Sequence, residues 1–287
     1  MIKMVVLACA LLACALLLPI FAVAAVPHPA SSLQDLIRQH LDSIGDAKAR
    51  SEIKTRVAQG PAHYKILVGG GGELDGKSVF ASEGNEIHFM MKFPNNLYQG
   101  EQFITDGKKV EVSGLTASKN RSAFGQFVYV HDEILKEGLV GGVLSTAWPL
   151  LNLEERNPKL NYEGVKTVDG QEFHVLAYRP HKGSDVDIHL YFDTETFHHV
   201  MTVYTLNVSI GIVGRETGNA QQQETHYRME ERFSNFKTID GITLPTHYVI
   251  HFSRELQSGR TSLTEWSIEE SDLGQNVSLD PKNFVVR

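Results

Sequence analysis

The dipeptide Asp240-Gly241 sits between two long runs in which apolar and polar residues alternate. Before it, Tyr227, Met229 and Phe233 share one parity, which Glu231 interrupts. After it, Tyr248, Ile250 and Phe252 alternate with His247, Val249 and His251. A period of two is the mark of a half-buried strand, and Asp-Gly supplies the positive φ that a tight turn needs. Residues 224–253 therefore predict one long antiparallel hairpin. Pro245 lacks a donor, so it belongs at the start of the second strand or on an edge. The same dipeptide recurs at Asp75-Gly76, Asp106-Gly107 and Asp169-Gly170, each between strand-like residues, which predicts a turn at each place. Four such turns predict successive hairpins, an antiparallel meander rather than a parallel α/β fold.

The N-terminus reads as a targeting segment. Lys3 gives a short positive region, residues 4–21 form an apolar run, and Ala22-Val23-Ala24 is a small-x-small cleavage signal. The expected organisation is a signal peptide over residues 1–24 and a single domain over residues 25–287, with no interdomain linker. The run is also long enough to be a retained membrane anchor, and Leu11-Leu12-Ala13-Cys14 resembles a bacterial lipobox that would lipidate Cys14. Cys9 and Cys14 are the two cysteines of the chain. An exported domain without cysteine points to the periplasm rather than to a disulfide-stapled secreted module. With 27 Lys and Arg against 34 Asp and Glu, and no basic patch, nucleic acid is an excluded partner.

Along the chain, Ser31 and Gln34 stand at capping-box spacing before a helix whose apolar face is Leu33, Leu36, Ile37, Leu41 and Ile44, ended by Gly45. A second short helical turn is expected over residues 47–52. Strands follow: Tyr64, Ile66 and Val68 alternate, as do Ile87, Phe89, Met91 and Phe93. Residues 132–151 (DEILKEGLVGGVLSTAWPLL) change character. Their apolar residues fall at helical spacing, and Asp132 and Glu133 suit a helix N-terminus. Gly138, Gly141 and Gly142 weaken that helix by roughly 1 kcal/mol each. This segment reads either as ordinary core packed on the sheet or as a plug over an apolar cavity. Strands resume after Pro158, including Ile188, Leu190 and Phe192 on one face.

Several phrases resemble the Lol-type periplasmic lipoprotein carriers and the wider outer-membrane lipoprotein-sorting-like family. They are the helix LQDLIRQHLDSIG with EIKTRVAQG after it, the hairpin LYFDTETFHHVMTVY, the hairpin ERFSNFKTIDGITLPTHYVI and the closing LDPKNF. These motifs specify strands and turns rather than a reaction. The resemblance implies an α+β fold, a strongly curved antiparallel sheet forming an incomplete barrel with helices packed on its concave face. It also implies a hydrophobic cavity for acyl chains, with residues 132–151 as its plug. No ligand-contact residue of the carriers is matched by position.

Other motifs carry less. Residues 71–78, GGELDGKS, satisfy the phosphate-loop pattern G-x-x-x-x-G-K-[ST], but that chemistry needs a helix after the loop. Residues 78–85 lead into strand alternation, so a glycine-rich hairpin loop is expected and no nucleotide. Among the 13 histidines, His247 and His251 are too far apart along one strand to share an ion. His189, His198, His226 and His247 would need to converge across strands. No metal or other cofactor is expected. Glu230 and Glu231 face opposite sides of a strand and make no acid–base pair, and no G-x-S-x-G elbow occurs.

The expected function is binding or carriage of a hydrophobic ligand, a lipid or an acylated lipoprotein, between envelope membranes. Envelope membrane proteins are the further expected partners, and no catalysis is expected. The expected cavity lining is Leu139, Val143, Leu144 and Trp148 from the central segment with Phe89, Met91, Leu190 and Phe192 from the sheet. The alternatives are a non-transporting envelope interaction or stress-sensing module on the same fold, a hydrolase with no visible motif, and a metal-binding protein.

Overall fold

The computed structural model describes residues 30, 32–116, 119–212 and 221–287. The export segment, Cys14, the Ser31 cap and most of the polar loop beginning at Gly214 lie outside the described residues.

Helix α1 is Leu33–Ile44 and α2 is Ala47–Glu52. Ser32 is the N-cap of α1, one residue later than the sequence suggests, and its hydroxyl accepts from the Asp35 N–H at 3.2 Å. Asp35 also places a negative charge at the positive helix end. The face turned inward centres on Leu36, His40 and Ile44. The helix ends at Gly45, whose φ of 155° leaves the helical region, and the position requires glycine because a Cβ there would lie 2.5 Å from the Gly241 carbonyl oxygen, at the turn of the long hairpin.

The first meander comprises β1 (Thr55–Val68), β2 (Glu73–Glu83), β3 (Glu86–Lys92), β4 (Gly100–Thr105) and β5 (Val110–Gly114). Helices α3 (Ala123–Val130), α4 (Glu133–Lys136) and α5 (Leu153–Arg156) follow, with 3₁₀ turns at Gly142–Leu144 and Pro149–Leu151. The second meander is β6 (Lys159–Val168), β7 (Gln171–Arg179), β8 (Asp187–Asp193), β9 (His199–Ile212), β10 (Gln221–Ile239), β11 (Ile242–Leu256) and β12 (Thr261–Glu269). A short β13 (Asp272–Gln275) pairs with β1.

Strand β12 returns to pair antiparallel with β1, so the two meanders join into one sheet ordered β5-β4-β3-β2-β1-β12-β11-β10-β9-β8-β7-β6. Edge strands β5 and β6 do not pair with each other, and the sheet stays open. The α+β incomplete barrel is the fold of this chain. One core of buried side chains runs along its inner face, from Phe80, Phe89 and Phe103 through Trp266, Tyr248 and Phe233 to Leu190 and Phe192. Cross-strand rings hold the first meander in register: Phe80 packs on Phe89 at 5.2 Å and Phe89 on Phe103 at 5.7 Å. Phe124 of α3 continues the row, 5.2 Å from Phe103 and 4.8 Å from Trp266.

Asp240-Gly241 forms its turn with φ of 51° and 78°, and Asp169-Gly170 does so with 52° and 82°. Asp106-Gly107 also turns, between β4 and β5. Asp75-Gly76 does not. It lies inside β2, opposite His63 and Ala62 of β1. The glycine there serves close approach: a Cβ would meet the Lys92 carbonyl oxygen at 2.2 Å. Pro245 falls where β11 has β10 on one side and has not yet met β12, whose pairing begins at His247. Its missing N–H therefore costs no ladder bond.

Candidate functional site

Residues 123–156 cross the concave side of the sheet as a strap. The single helix expected over residues 132–151 is not formed. A four-residue helix and two 3₁₀ turns stand in its place, and the backbone adopts φ of 72° at Gly138, 79° at Gly141 and 51° at Gly142. Only glycine enters that region cheaply. A Cβ on Gly138 would sit 2.1 Å from the Ala147 carbonyl oxygen, and one on Gly142 would sit 2.8 Å from His199 Nδ1. The apolar spacing was compatible with a helix because the segment is buried almost all round, which removes the one-sided period that would separate helix from coil. Helix α3, just upstream, was not anticipated. Ser122 caps it, and Phe124, Phe127 and Val128 are buried at helical spacing; Gly125 masked that signal. A Cβ on Gly125 would lie 2.6 Å from the Glu101 carboxylate.

The strap is tied to the rest of the fold by polar bonds along its length, among them the Tyr178 hydroxyl donating to Glu137 at 2.5 Å and the Ser184 hydroxyl donating to Glu133 at 2.6 Å. At the centre, the buried Glu231 of β10 accepts from the Gly141 N–H at 2.8 Å, from the Tyr204 hydroxyl at 2.7 Å and from the Tyr248 hydroxyl. Burial pushes its carboxyl up to about 7, against the pull of those three donors. Thr146 N–H donates to Ser82 Oγ at 2.9 Å, and its hydroxyl donates to the Gly84 carbonyl at 3.1 Å. The Arg56 guanidinium donates to the Val143 carbonyl. Arg156 donates to the Lys136 and Ala147 carbonyls at 2.9 and 3.0 Å and to Asn85 Oδ1 at 2.7 Å.

Trp148 anchors the far end. Its indole N–H donates to His40 Nε2 at 3.0 Å, and its ring stacks on His199 at 4.4 Å. His40 Nδ1 faces the Phe197 carbonyl at 3.0 Å, which makes Nδ1 the protonated nitrogen of a neutral ring. Burial lowers His40 to about 4, and burial, with His40 alongside, holds His199 well below the ordinary imidazole value. Both rings are core members at neutral pH, and neither is placed to exchange protons with water.

The eight expected lining residues are all buried in one continuous core. Leu139, Leu144, Trp148, Phe89, Met91, Leu190 and Phe192 are fully enclosed, and Val143 is 3% exposed. Cavities of about 380, 470, 360 and 650 Å³ lie elsewhere, and each is lined by other residues. Sequence reasoning assigned no site role to Glu231, Tyr204, Tyr248, His40, His199 or Arg56, although it weighed Glu231 as half of an acid–base pair and placed Tyr248 on the apolar face of its strand. Glu231 gave one signal, a carboxylate on the apolar parity of its strand.

Residues 71–78 run from a loop into β2, and Ser78 lies in the strand opposite Gly60. No helix N-terminus follows the loop, so the phosphate-loop geometry is absent there. Among the described residues no three His, Cys, Asp or Glu side chains are grouped to hold a metal ion. His198 instead stacks on Phe236 at 4.2 Å, and His226 pairs with Asn207 on the strand surface. Glu230 lies opposite in direction to Glu231, between Arg228, Arg232 and His251.

No family model matches this chain, and no curated protein matches it. Among solved structures it is similar to a LolA superfamily protein from Nitrosomonas europaea, at 14% identity and a TM-score of 0.45, over 90% of this chain and 99% of that one. It is also similar to an outer membrane lipoprotein-sorting protein domain from Vibrio parahaemolyticus, at 13% identity and a TM-score of 0.43, over 86% of this chain and 95% of that one. A DUF1329 family protein from Desulfovibrio piger gives 13% identity and a TM-score of 0.43, over 88% of this chain and 96% of that one. At TM-scores below 0.5 these likenesses bear on neither ligand nor partner. The fold rests on the strand order and register above.

Proposed function

We propose that this chain binds a hydrophobic ligand, a lipid or the acyl chains of a lipoprotein, on the concave face of its sheet, and carries it between membranes of a bacterial envelope. Export directed by residues 1–24 would place it in the periplasm. The observation that supports this reading is the strap. An aromatic concave face is covered by a segment broken into short helices and 3₁₀ turns, its middle held by ties to Glu231, Ser82 and Arg56. Leu139, Val143, Leu144 and Trp148 cover the inner face of the sheet that carries Phe89, Met91, Leu190 and Phe192, and the site opens when the strap swings out.

The energetics suit reversible carriage. Re-exposing four large apolar side chains costs roughly 1.5–3 kcal/mol each. A chain of about a dozen methylenes entering the same space returns ~10 kcal/mol at about 0.8 kcal/mol per methylene. The two are of one size, so loading exchanges one apolar filling for another.

The test is native mass spectrometry with organic extraction on mature protein purified gently from its own envelope. Near-stoichiometric lipid or acylated peptide is the expected result. A clean apo mass, with no uptake of added fatty acid or phospholipid, would overturn the reading and leave the strap as ordinary core.

A further inference from the structure

A cavity of about 380 Å³ opens where the strap meets the start of β1. Arg50, Lys54 and Arg56 give its wall a basic side, and Ser51, Thr146 and Asn152 line it together with apolar residues such as Ile53 and Leu151. Arg50 is partly neutralised, lying 3.7 Å from Asp42. Arg56 is not. It is 3% exposed, its Nε has no hydrogen-bond partner, and its Nη1 reaches only the Val143 carbonyl. No carboxylate among the described residues pairs with it; burial alone pulls the guanidinium down to about 10, so it stays charged at neutral pH. A buried cation facing only a neutral carbonyl is costly unless an anion completes it. Guanidinium suits a carboxylate or phosphate, which it can grip with two parallel N–H···O bonds.

The geometry points to this cavity as an anion site that takes a carboxylate or phosphate group, the headgroup of the amphiphile whose chain occupies the concave face. This rests on the function proposed above. The placement links the two parts of such a ligand. Arg56 sits opposite Ser82 on β2, the residue that ties Thr146, and two residues on in each strand Ala58 faces Phe80, whose ring lies against Gly141. A contiguous row of packed residues therefore leads from the basic cavity, under residues 141–146, to the aromatic core. An anion bound by Arg56 competes with the Val143 carbonyl and so loosens one tie of the strap. Head recognition and chain entry become one event.

The test is calorimetric titration of the full mature chain with oleate, with oleyl alcohol as the uncharged match, and with inorganic phosphate. It is repeated on Arg56→Gln and on Thr146→Asp, which leaves Arg56 in place and sets a competing carboxylate at the cavity wall. The expected result is oleate binding about tenfold or more tighter than oleyl alcohol, with that ratio falling to about one in both variants. If Arg56→Gln fails to fold, Thr146→Asp decides. Oleate and oleyl alcohol binding equally would overturn the anion site and leave the hydrophobic-ligand reading standing. Phosphate binding abolished by either variant, with neither lipid bound, would make this a site for a free anion and overturn the lipid reading. No binding of any probe would overturn both.

Discussion

Gly141 and Glu231 lie 90 residues apart in the chain and are joined by a 2.8 Å hydrogen bond from the glycine N–H to a fully buried carboxylate. The bond ties the strap to the middle of the sheet at the point where Tyr204 and Tyr248 converge on the same carboxyl. Removing the carboxyl strands three buried donors, each worth roughly 1–3 kcal/mol when left unmade. Glu231→Ala should cost about 3–5 kcal/mol in urea unfolding. Glu231→Gln keeps an acceptor and the side-chain volume, and should cost at least ~2 kcal/mol less than the alanine variant. Equal losses would mean that volume and not hydrogen bonding holds the strap there.

Gly138→Ala and Gly142→Ala should each destabilise by about 2–4 kcal/mol, because both need positive φ and both would drive a Cβ into a fixed neighbour. A helix over residues 132–151 would give the opposite sign, a gain of about 1 kcal/mol per substitution. Thermal unfolding of the two variants separates these outcomes by sign.

Glu270 is 3% exposed, and neither carboxyl oxygen has a hydrogen-bond partner. Burial, with Glu269 nearby, raises it from 4.5 to about 8. A carboxyl raised on folding binds more protons in the native state than in the unfolded one. Its favourable contribution is complete below pH 4.5 and is lost as pH rises through about 8. Glu101 and Glu231, each raised to about 7, act in the same sense. His40, lowered to about 4, acts oppositely and penalises the native state as pH falls below 6.5. Glu270→Gln should therefore gain on the parent as pH rises from 5 to 8.5, by on the order of 3 kcal/mol. A pH-independent difference in chemical denaturation would exclude a buried neutral carboxyl at this position.

The chain has two tryptophans, Trp148 on the strap and Trp266 in β12, both buried. In a Trp266→Phe variant, loading with a long-chain alcohol should red-shift and quench Trp148 emission as the ring leaves His40 and His199. In Trp148→Phe, the emission of Trp266 should change far less. Equal responses from both rings would mean that the sheet, not the strap, adjusts to the ligand.

Legibility followed the range of the interactions. The turn at Asp240-Gly241 depends on two residues' own φ values and was readable from the dipeptide. The identical dipeptide at 75–76 misled, because the glycine there answers to the Lys92 carbonyl on the neighbouring strand. Helix α3 had a readable cap in Ser122 and apolar residues at helical spacing, yet Gly125 hid them. Its reason, the Glu101 carboxylate across the fold, is visible only in three dimensions.

The amino-acid sequence alone determined the parity of the strands, three of the four Asp-Gly turns, α1 and α2, and through them an antiparallel α+β fold. Each of these is written in the backbone preference of one or two residues or in a period of two. The tertiary structure decided the joining of β12 to β1, the broken path of residues 132–151, and the pairing of Glu231 with Gly141 and of Arg56 with Val143. Those depend on which distant groups meet when the core closes. A buried polar atom finds its partner by position in space, and spacing along the chain carries no record of it.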